Sequence, residues 1–359
     1  MEPDFWAGRR VLVTGHTGFK GAWLSLWLQT LGAEVTGFAD TVPTEPSLFA
    51  LANVAAGLRA DIRGDIRDPE AVSDAIIESG AEVVVHMAAQ PMVRRSFVAP
   101  RETYEINVMG TVNVLDAVRT TGAETVRAVV NVTSDKCYDN VHGREARPFT
   151  EDDPMGGHDP YSNSKGCAEL VADAFRRSFF SAPDGPTRVA SARAGNVIGG
   201  GDWGEDRLVP DIMRAASADD VIAIRNPTAI RPWQHVLNPL SGYLVIAQEL
   251  CGDGRDAAAA GWNFGPSQDD AQPVSWIADR LTALWPHPLG WAIEPGPHPH
   301  EAHYLSLDST RARTRLGWRP RWGLEQTLAS IVDWHLAHRD GLDVVRDVTL
   351  RHIKEFTAS

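Results

Sequence analysis

Short apolar segments alternate with helical segments through the first half of this chain. Each apolar segment is hydrophobic at consecutive positions, which is typical of strands that are buried on both faces. The apolar segments cover residues 10–14, 34–38, 82–86, 127–132 and 188–192, and the helical ones cover 22–31, 106–119 and 162–180. This order predicts an α/β fold with a doubly wound parallel sheet, covered by helices on both faces.

Three glycines fill the turn between the first predicted strand and its helix. Gly15, Gly18 and Gly21 follow a strand that ends at Thr14, in the spacing GxxGxxG and not GxGxxG. Glycines between a strand and a helix let the chain turn sharply and bring backbone amides to a pyrophosphate, and the helix dipole favours the anion. We therefore expect a dinucleotide to bind here. A glycine-rich turn without a ligand is the alternative.

The residues after the second predicted strand indicate which dinucleotide this is. Asp40 lies where a carboxylate would meet the adenosine ribose, and no arginine between Gly37 and Leu51 is placed to receive a 2′-phosphate. The sequence therefore favours NAD over NADP, with a solvated turn aspartate as the alternative role for Asp40. Asp65, in the segment 64–68, is a candidate for adenine contacts or a residue of a helix start.

Acid and base groups for chemistry are found in two segments further along. Tyr161 and Lys165 are four residues apart on a predicted helix and so share a face, where the lysine charge is expected to lower the tyrosine pKa. Such a tyrosine can accept a proton from an alcohol. Ser134, Asp135 and Lys136 end an apolar strand. Alcohol oxidation needs the hydroxyl but neither the carboxylate nor the second lysine, so the sequence predicts a reaction with a further step.

Composition excludes several other classes of function. With 359 residues, 43% hydrophobic residues and no apolar run of about 18 residues, the chain reads as a globular enzyme without a membrane span. We expect a cytoplasmic protein, because the first residues resemble no signal or transit peptide. Cys137, Cys167 and Cys251 lack CxxC spacing, which argues against disulfides and structural zinc. The net charge of -13 argues against general nucleic-acid binding.

Several motifs together resemble the extended short-chain dehydrogenase/reductases that act on nucleotide sugars. Besides the glycine turn and the Tyr161/Lys165 pair, they are His86-Met-Ala-Ala-Gln90, Asn107-Val-Met-Gly-Thr111 and Arg193-Ala-Gly-Asn196. The resemblance covers nearly the whole chain. It implies an NAD-binding Rossmann domain over 1–192, rejoined by about 232–265, and a smaller, mixed substrate-binding lobe over 193–231 and 266–359.

Within this family the chain is most similar to the CDP-glucose 4,6-dehydratases. Long shared strings are Thr14-Gly-His-Thr-Gly-Phe-Lys-Gly21, Thr133-Ser-Asp-Lys-Cys-Tyr138, Ala194-Gly-Asn-Val-Ile-Gly-Gly-Gly-Asp-Trp203, Arg231-Pro-Trp-Gln-His235 and His298-Pro-His-Glu-Ala-His-Tyr304. The segment 139–158 lacks the Trp-rich sequence of that branch, which leaves the exact nucleotide and sugar open. An NDP-sugar epimerase or decarboxylase is the alternative, but it would not need the Asp-Lys pair.

The resemblance implies a role for each catalytic residue. Tyr161 would take the proton from the carbon 4 hydroxyl, with Ser134 holding that hydroxyl and Lys165 supporting Tyr161 and the nicotinamide ribose. Asp135 would be the acid that protonates the departing carbon 6 hydroxyl. Lys136 replaces the glutamate that other dehydratases carry as the carbon 5 base. It would stabilise the enolate as a cation or, with a much lowered pKa, act as the base; a structural ion pair is the third possibility.

The resemblance also implies binding residues. The NAD-binding set is Gly15, Thr17, Gly18, Phe19, Lys20, Gly21, Asp40, Asp65, Ile66, Ala88, Tyr161 and Lys165. The substrate-binding set is Gln90, Asn196, Arg207, Arg231, Gln234, His303 and Tyr304. The two arginines suit a diphosphate, with surface ion pairs as the alternative. Three nearby histidines, His298, His300 and His303, lack zinc-like spacing, so we expect no metal. A homodimer is implied through helices around 104–120 and 162–177.

Overall fold

A computed structural model describes residues 2–140, 147–218, 220–287, 289–294, 305–341 and 343–359. Within these ranges its centre is a seven-stranded parallel sheet. Its strands are β1 Arg10–Thr14, β2 Glu34–Ala39, β3 Ala60–Arg63, β4 Val83–His86, β5 Ala128–Val132, β6 Arg188–Arg193 and, after four short strands outside the sheet, β11 Gly261–Asn263. The predicted doubly wound fold is confirmed.

The strand order places the site. It runs β11-β6-β5-β4-β1-β2-β3, so β1 lies between β4 and β2, with Thr14 beside Phe38 and His86 at their carboxyl ends. All these strands point the same way, and the loops that follow them meet at one edge of the sheet. Strand β3 was not predicted, because it lies at the sheet edge and its exposed positions interrupt the apolar pattern.

Helices cover both faces of the sheet. They are α1 Phe19–Thr30, α2 Leu48–Leu51, α3 Pro69–Ser79, α4 Val93–Val98, α5 Pro100–Tyr104, α6 Gly110–Thr120, α7 Pro160–Phe179, α8 Leu208–Ser217, α9 Leu237–Cys251, α10 Arg255–Ala258, α11 Val274–Leu284, α12 Thr310–Arg315, α13 Leu324–Asp340 and α14 Asp343–Ala358. A π-helical turn over Glu105–Met109 precedes α6. One face packs against α1 and α9, with α14 packed on the outside of α1, and the other face packs against α3, α6 and α7.

The rest of the chain forms a smaller lobe with short strand pairs. These strands are β7 Val197–Ile198, β8 Ile222–Ile224, β9 Ile230–Pro232, β10 Gln234–His235, β12 Ala271–Pro273 and β13 Trp291–Ile293. Strand β8 pairs with β13 and β7 with β10, both parallel, while β9 and β12 are antiparallel. A separate apolar cluster joins α8, α11 and α13. The domain limits given above stay a prediction.

No helix in the described ranges is both long and apolar enough to span a membrane.

Candidate active site

A cavity of about 2000 Å³ opens at the carboxyl ends of the central strands and continues into the smaller lobe. The glycine turn after β1 lines one end, and the segment after β5 lines the middle together with the start of α7. Residues of α8, β8 and β9 line the other end. The cavity therefore has room for a dinucleotide and a second nucleotide-sized molecule side by side.

The glycine turn leaves no space for side chains. Gly15 has φ +72, and a Cβ there would lie 2.7 Å from the backbone nitrogen of Ala88. A Cβ at Gly21 would lie 2.1 Å from the carbonyl oxygen of Gly15. Gly18 precedes α1 as its N-cap without a side-chain hydrogen bond, so the free amides of the first helical turn remain for an anion. These residues fit the pyrophosphate of a dinucleotide.

The remaining residues of the predicted dinucleotide set also line this part of the cavity. They are Thr17, Phe19, Lys20, Asp40, Asp65, Ile66 and Ala88. Asp40 is exposed, and its Oδ1 accepts the Thr41 backbone amide at 2.7 Å. Arg67 Nε and Nη2 donate to Asp65 Oδ2 at 2.9 and 2.5 Å, and these hydrogen bonds lower the Asp65 pKa. Asp40 is thus the carboxylate that is open towards a ribose.

His16 is a further residue of the turn that the sequence did not single out. It is fully buried, and its Nε2 lies 2.9 Å from Asp61 Oδ1 on β3. Its ring fills the space beside Gly37, where a Cβ would lie 2.3 Å from the ring. His16 therefore ties the glycine turn to β2 and β3. A histidine inside a glycine motif is unusual and could have drawn attention to His16. Its partner, Asp61, is 45 residues away, so the sequence alone does not reveal the contact.

The Ser134–Asp135–Lys136 segment forms a short 3-10 turn directly after β5. Ser134 is its N-cap, and its Oγ accepts the Lys136 backbone amide at 3.3 Å. The same hydroxyl donates to Asp135 Oδ1 at 2.9 Å, and its proximity to Tyr161 acts to lower the pKa of that phenol. Lys136 is half-buried and lines the cavity. The fold therefore brings the carboxylate, two hydroxyls and a lysine together.

Helix α7 supplies Tyr161 and Lys165 from its first turns. Asp159 caps this helix by accepting the Ser162 amide at 2.9 Å. Burial raises the Tyr161 pKa to about 12, although the Ser134 hydrogen bond and the Arg207 charge oppose the rise. The net direction is therefore opposite to the lowering that we expected from Lys165. Burial outweighs any help from neighbouring cations.

Three cations surround these groups. Burial lowers the Lys165 pKa to about 8, opposed by the Glu169 charge. Lys20, at the start of α1, also has its pKa lowered to about 8, first by burial and then by the charges of Lys165 and Arg207. Lys20, Lys165 and Arg207 thus place positive charge next to Tyr161, although the chain carries a net charge of -13. This local charge suits an anionic ligand.

Asp135 is pressed against a glycine. It is 1% exposed, and its Oδ2 has no hydrogen-bond partner among the described residues. A Cβ at Gly195 would lie 1.8 Å from that oxygen and 2.2 Å from the carboxyl carbon. Gly195 is held in turn by Gln234, whose Nε2 donates to the Gly195 carbonyl at 3.2 Å. The position of the carboxylate thus depends on the absence of a side chain at residue 195.

A buried ion pair supports α7 from behind. Arg193, at the end of β6, donates to Glu169 Oε2 at 2.8 Å and to the Tyr138 hydroxyl at 2.7 Å. Glu169 also accepts the Thr133 hydroxyl, next to Ser134. The Tyr138 hydroxyl in turn donates a hydrogen bond to Asn263 Oδ1 on β11 at 2.6 Å. This network fixes the segment after β5 against the helix that carries Lys165.

The predicted substrate residues are not all brought together. Arg207, Arg231 and Asn196 line the cavity, and Arg207 is paired with Asp202 at 2.9 Å. Gln90 and Gln234 do not line it. The Gln90 amide donates to the Thr103 hydroxyl at 2.8 Å and accepts the Met92 amide at 2.5 Å, and the Gln234 amide nitrogen binds the Gly195 and Phe264 carbonyls. Both glutamines are buried hydrogen-bonding residues of the scaffold.

An ion pair at the cavity wall was missed by the sequence analysis. Arg94 of α4 lies 2.8 Å from Asp206, and Arg225 lies 3.5 Å from the same carboxylate. Asp206 has φ 58, which is rare for a residue other than glycine. All three residues line the cavity. No local motif marks this group, because Arg94 and Asp206 are 112 residues apart.

Comparison with known proteins shows the family of this chain. Residues 11–256 match the family described as the NAD dependent epimerase/dehydratase family. The chain belongs to this family. A CDP-glucose 4,6-dehydratase of Salmonella typhimurium is 54% identical over 351 residues, which is 96% of this chain and 95% of the relative. A dTDP-glucose 4,6-dehydratase of Mycolicibacterium smegmatis is 34% identical and covers 94% of this chain and 96% of its own length.

Two solved structures with the same fold contain NAD. MoeE5 in complex with UDP-glucose and NAD has a TM-score of 0.73 at 26% identity, covering 92% of this chain and 99% of that one. A double mutant of DesIV, a dTDP-glucose 4,6-dehydratase from Streptomyces venezuelae with NAD bound, has a TM-score of 0.75 at 23% identity, with 92% and 98% covered. The expected NAD dependence of this family member is confirmed.

Some predicted residues lie outside the described part of the chain. These are His303 and Tyr304 of the substrate set, and also His298 and His300. Among the residues that are described, no group of three or more His, Cys, Asp or Glu side chains could hold a metal ion.

Proposed function

We propose that this protein is a CDP-glucose 4,6-dehydratase. It would convert CDP-D-glucose to CDP-4-keto-6-deoxy-D-glucose with loss of water and would recycle its NAD within each turnover. The observation that carries this proposal is the placement of Asp135 and Lys136 beside Tyr161 in one cavity. An enzyme that only oxidises and reduces at carbon 4 needs no such acid. The 54% identity to the Salmonella enzyme supports the nucleotide.

The chain's own groups would divide the chemistry as follows. When bound, NAD supplies hydride acceptance at carbon 4 and hydride return at carbon 6. Tyr161 receives the proton of the carbon 4 hydroxyl, and the resulting ketone acidifies the proton on carbon 5. Asp135 protonates the departing carbon 6 hydroxyl. Lys165 supports Tyr161, and Lys20, Lys165 and Arg207 provide positive charge close to the developing negative charge.

Lys136 would serve the elimination step. It lies in the cavity wall, directly after the proposed acid. As a cation it stabilises the enolate that forms when carbon 5 loses its proton; as a neutral amine it could take that proton itself. Lys136→Met is expected to slow the exchange of the carbon 5 proton with deuterated water. Exchange as fast as in the wild type would remove Lys136 from this step.

The diphosphate would be bound at the far end of the cavity. Arg207 and Arg231 are the proposed partners of its oxygens, with Asn196 as a further donor. The Asn196 side-chain nitrogen is buried and has no hydrogen-bond partner among the described residues, which leaves it available to a ligand. Gln90 and Gln234 would act on the substrate only indirectly, through the backbone that they hold.

The direct test is incubation with CDP-glucose without added reduced cofactor. We expect a product that has lost one water by mass and that shows the alkaline absorbance of a 4-keto-6-deoxy sugar. UDP-, dTDP- and GDP-glucose serve as matched controls. A product of unchanged mass would instead indicate an epimerase, and loss of carbon dioxide from a uronic acid substrate a decarboxylase. Turnover of another nucleotide alone would refute the CDP assignment.

We further propose a cytoplasmic homodimer. Exposed apolar side chains lie on the π-helical turn before α6 and on α7, including Met109 and Leu170, which are 49% and 60% exposed. Pairing of these helices with a second copy in a four-helix interface would bury them. A monomeric mass by light scattering at micromolar concentration would contradict this.

A further inference from the structure

A buried carboxylate holds one end of the Arg207 guanidinium. Asp202 is 4% exposed, and its Oδ1 and Oδ2 both accept from the same arginine nitrogen, Nη1, at 3.1 and 2.9 Å. Asp202 Oδ1 also accepts the Gly204 backbone amide at 3.0 Å. The carboxylate is thus fully engaged, whereas it uses only one of the three guanidinium nitrogens.

The other two nitrogens of Arg207 stay available to a ligand. Neither Nε nor Nη2 donates a hydrogen bond to a residue in the part of the chain that the structure describes. The Arg207 side chain is 34% exposed and lines the cavity, while that of Asp202 is only 5% exposed. In a planar guanidinium the Nε–H and one Nη2–H are parallel, so together they can bind two oxygens of a phosphate.

The loop before Arg207 is packed between two helices. Trp23 of α1 donates from its Nε1 to the Gly200 carbonyl at 3.0 Å, and a Cβ at Gly200 would overlap the Trp334 side chain of α13. The Arg207 side chain lies against Gly204, where a Cβ would come within 3.0 Å of its Cδ and Nε. The loop and the arginine stem therefore have little room to turn.

We propose that Asp202 is a positioning residue, which holds Arg207 so that its Nε and Nη2 bind the diphosphate of the substrate. This inference rests on the proposed dehydratase function, in which Arg207 binds that diphosphate. Asp202 also cancels part of the Arg207 charge, which by itself would weaken the binding of an anion. Fixing the arginine in advance has the opposite effect, because a free arginine side chain loses many rotamers on binding and misaligned hydrogen bonds are weak. The positioning effect is the larger one.

The test separates position from charge with two substitutions. Asp202→Asn removes the charge but keeps an oxygen that can accept from Arg207 and from the Gly204 amide, whereas Asp202→Ala removes both. Asp340→Ala is the control, because it removes one carboxylate from an exposed position at the end of α13. CDP binding to the NAD-loaded protein is measured by calorimetry, and KM and kcat are measured with CDP-glucose. NAD binding shows that each variant is folded.

We expect Asp202→Ala to weaken CDP binding and to raise KM by about tenfold or more. Its kcat should fall less than about threefold, because the charge of Arg207 acts over a longer distance than its hydrogen bonds do. Asp202→Asn and Asp340→Ala should bind CDP within about threefold of the wild type. In an Arg207→Lys background, which lacks the planar fork, Asp202→Ala should weaken CDP binding less than about threefold further.

Tighter CDP binding in either Asp202 variant would show that the carboxylate acts only as a counter-ion, and this would overturn the proposal. Equal losses in Asp202→Asn and Asp202→Ala, or unchanged binding in Asp202→Ala, would overturn it too. A wild type that binds CDP but makes no keto product from CDP-glucose overturns the proposed function instead.

Discussion

Replacing Gly195 with alanine is expected to displace the Asp135 carboxylate. The three atoms nearest to the new Cβ all belong to that carboxyl group, at 1.8, 2.2 and 2.8 Å. To reach 3.0 Å, a separation that real Cβ contacts essentially never fall below, the closest pair has to move apart by about 1.2 Å. Displacements of about 1 Å in an active site cost about 100-fold in rate. Overpacking costs about 1–3 kcal/mol of stability.

A double-mutant cycle isolates this contact. Gly195→Ala, Asp135→Ala and the double variant are unfolded in urea, and kcat of Gly195→Ala is measured with CDP-glucose. Because Asp135→Ala removes all three clashing atoms, Gly195→Ala should cost little in that background, which gives a coupling of about 1–3 kcal/mol. Gly290→Ala is the control, because a Cβ at Gly290 meets nothing within 4 Å. If Gly195→Ala destabilises both backgrounds equally, the reasoning is refuted.

Three further predictions concern the rest of the site. Gly15→Ala should weaken NAD binding, measured by calorimetry, by about tenfold or more, because the new Cβ would collide with the Ala88 backbone. Gly317→Ala is the control, since Gly317 also has a positive φ (+62) but its Cβ would meet nothing within 4 Å, so NAD binding should be unchanged. Equal effects of the two substitutions would contradict the packing argument. Glu169→Gln should lower the free energy of unfolding in urea by about 3–5 kcal/mol, because it leaves the charge of Arg193 buried, and a loss below about 1 kcal/mol would speak against this. The Lys165 pKa is about 8 in the folded chain and 10.5 in the unfolded chain, so the free energy of unfolding should rise with pH between these two values. In Lys165→Met this rise, measured by urea unfolding at each pH, should be smaller. An unchanged rise would assign it to other groups.

The sequence located the fold and the centre of the site for a physical reason. Strands that are buried on both faces leave a continuous apolar pattern, and the loops after parallel strands meet at one edge of the sheet. Residues directly after β1 and β5, such as Gly15 and Ser134, therefore had to lie near each other. Helical spacing was enough to place Tyr161 and Lys165 on one face.

Other features depend on contacts between distant segments. Gln90 and Gln234 lie in motifs near the site, but their amides are used by Thr103 and by backbone carbonyls, which only the folded structure reveals. Burial sets the direction of the Tyr161 pKa shift. The spacing between Tyr161 and Lys165 in the sequence gives no information about burial, so this direction could not be predicted. The pairing of Arg94 with Asp206 joins α4 to the segment before α8 and has no local signal in the sequence.

The packing of α1 has a consequence for synthesis on the ribosome. This helix, which follows the glycine turn, is buried almost all round, with Trp23 and Trp27 fully enclosed. Part of its cover is α14, whose Phe356 ring lies 5.5 Å from the Trp27 ring. Helix α1 is therefore synthesised long before residues 343–358, and its apolar surface is fully covered only after those residues have been made. A nascent chain that already contains the complete NAD-binding turn would still expose this apolar surface, which favours aggregation, until the carboxyl-terminal helix docks.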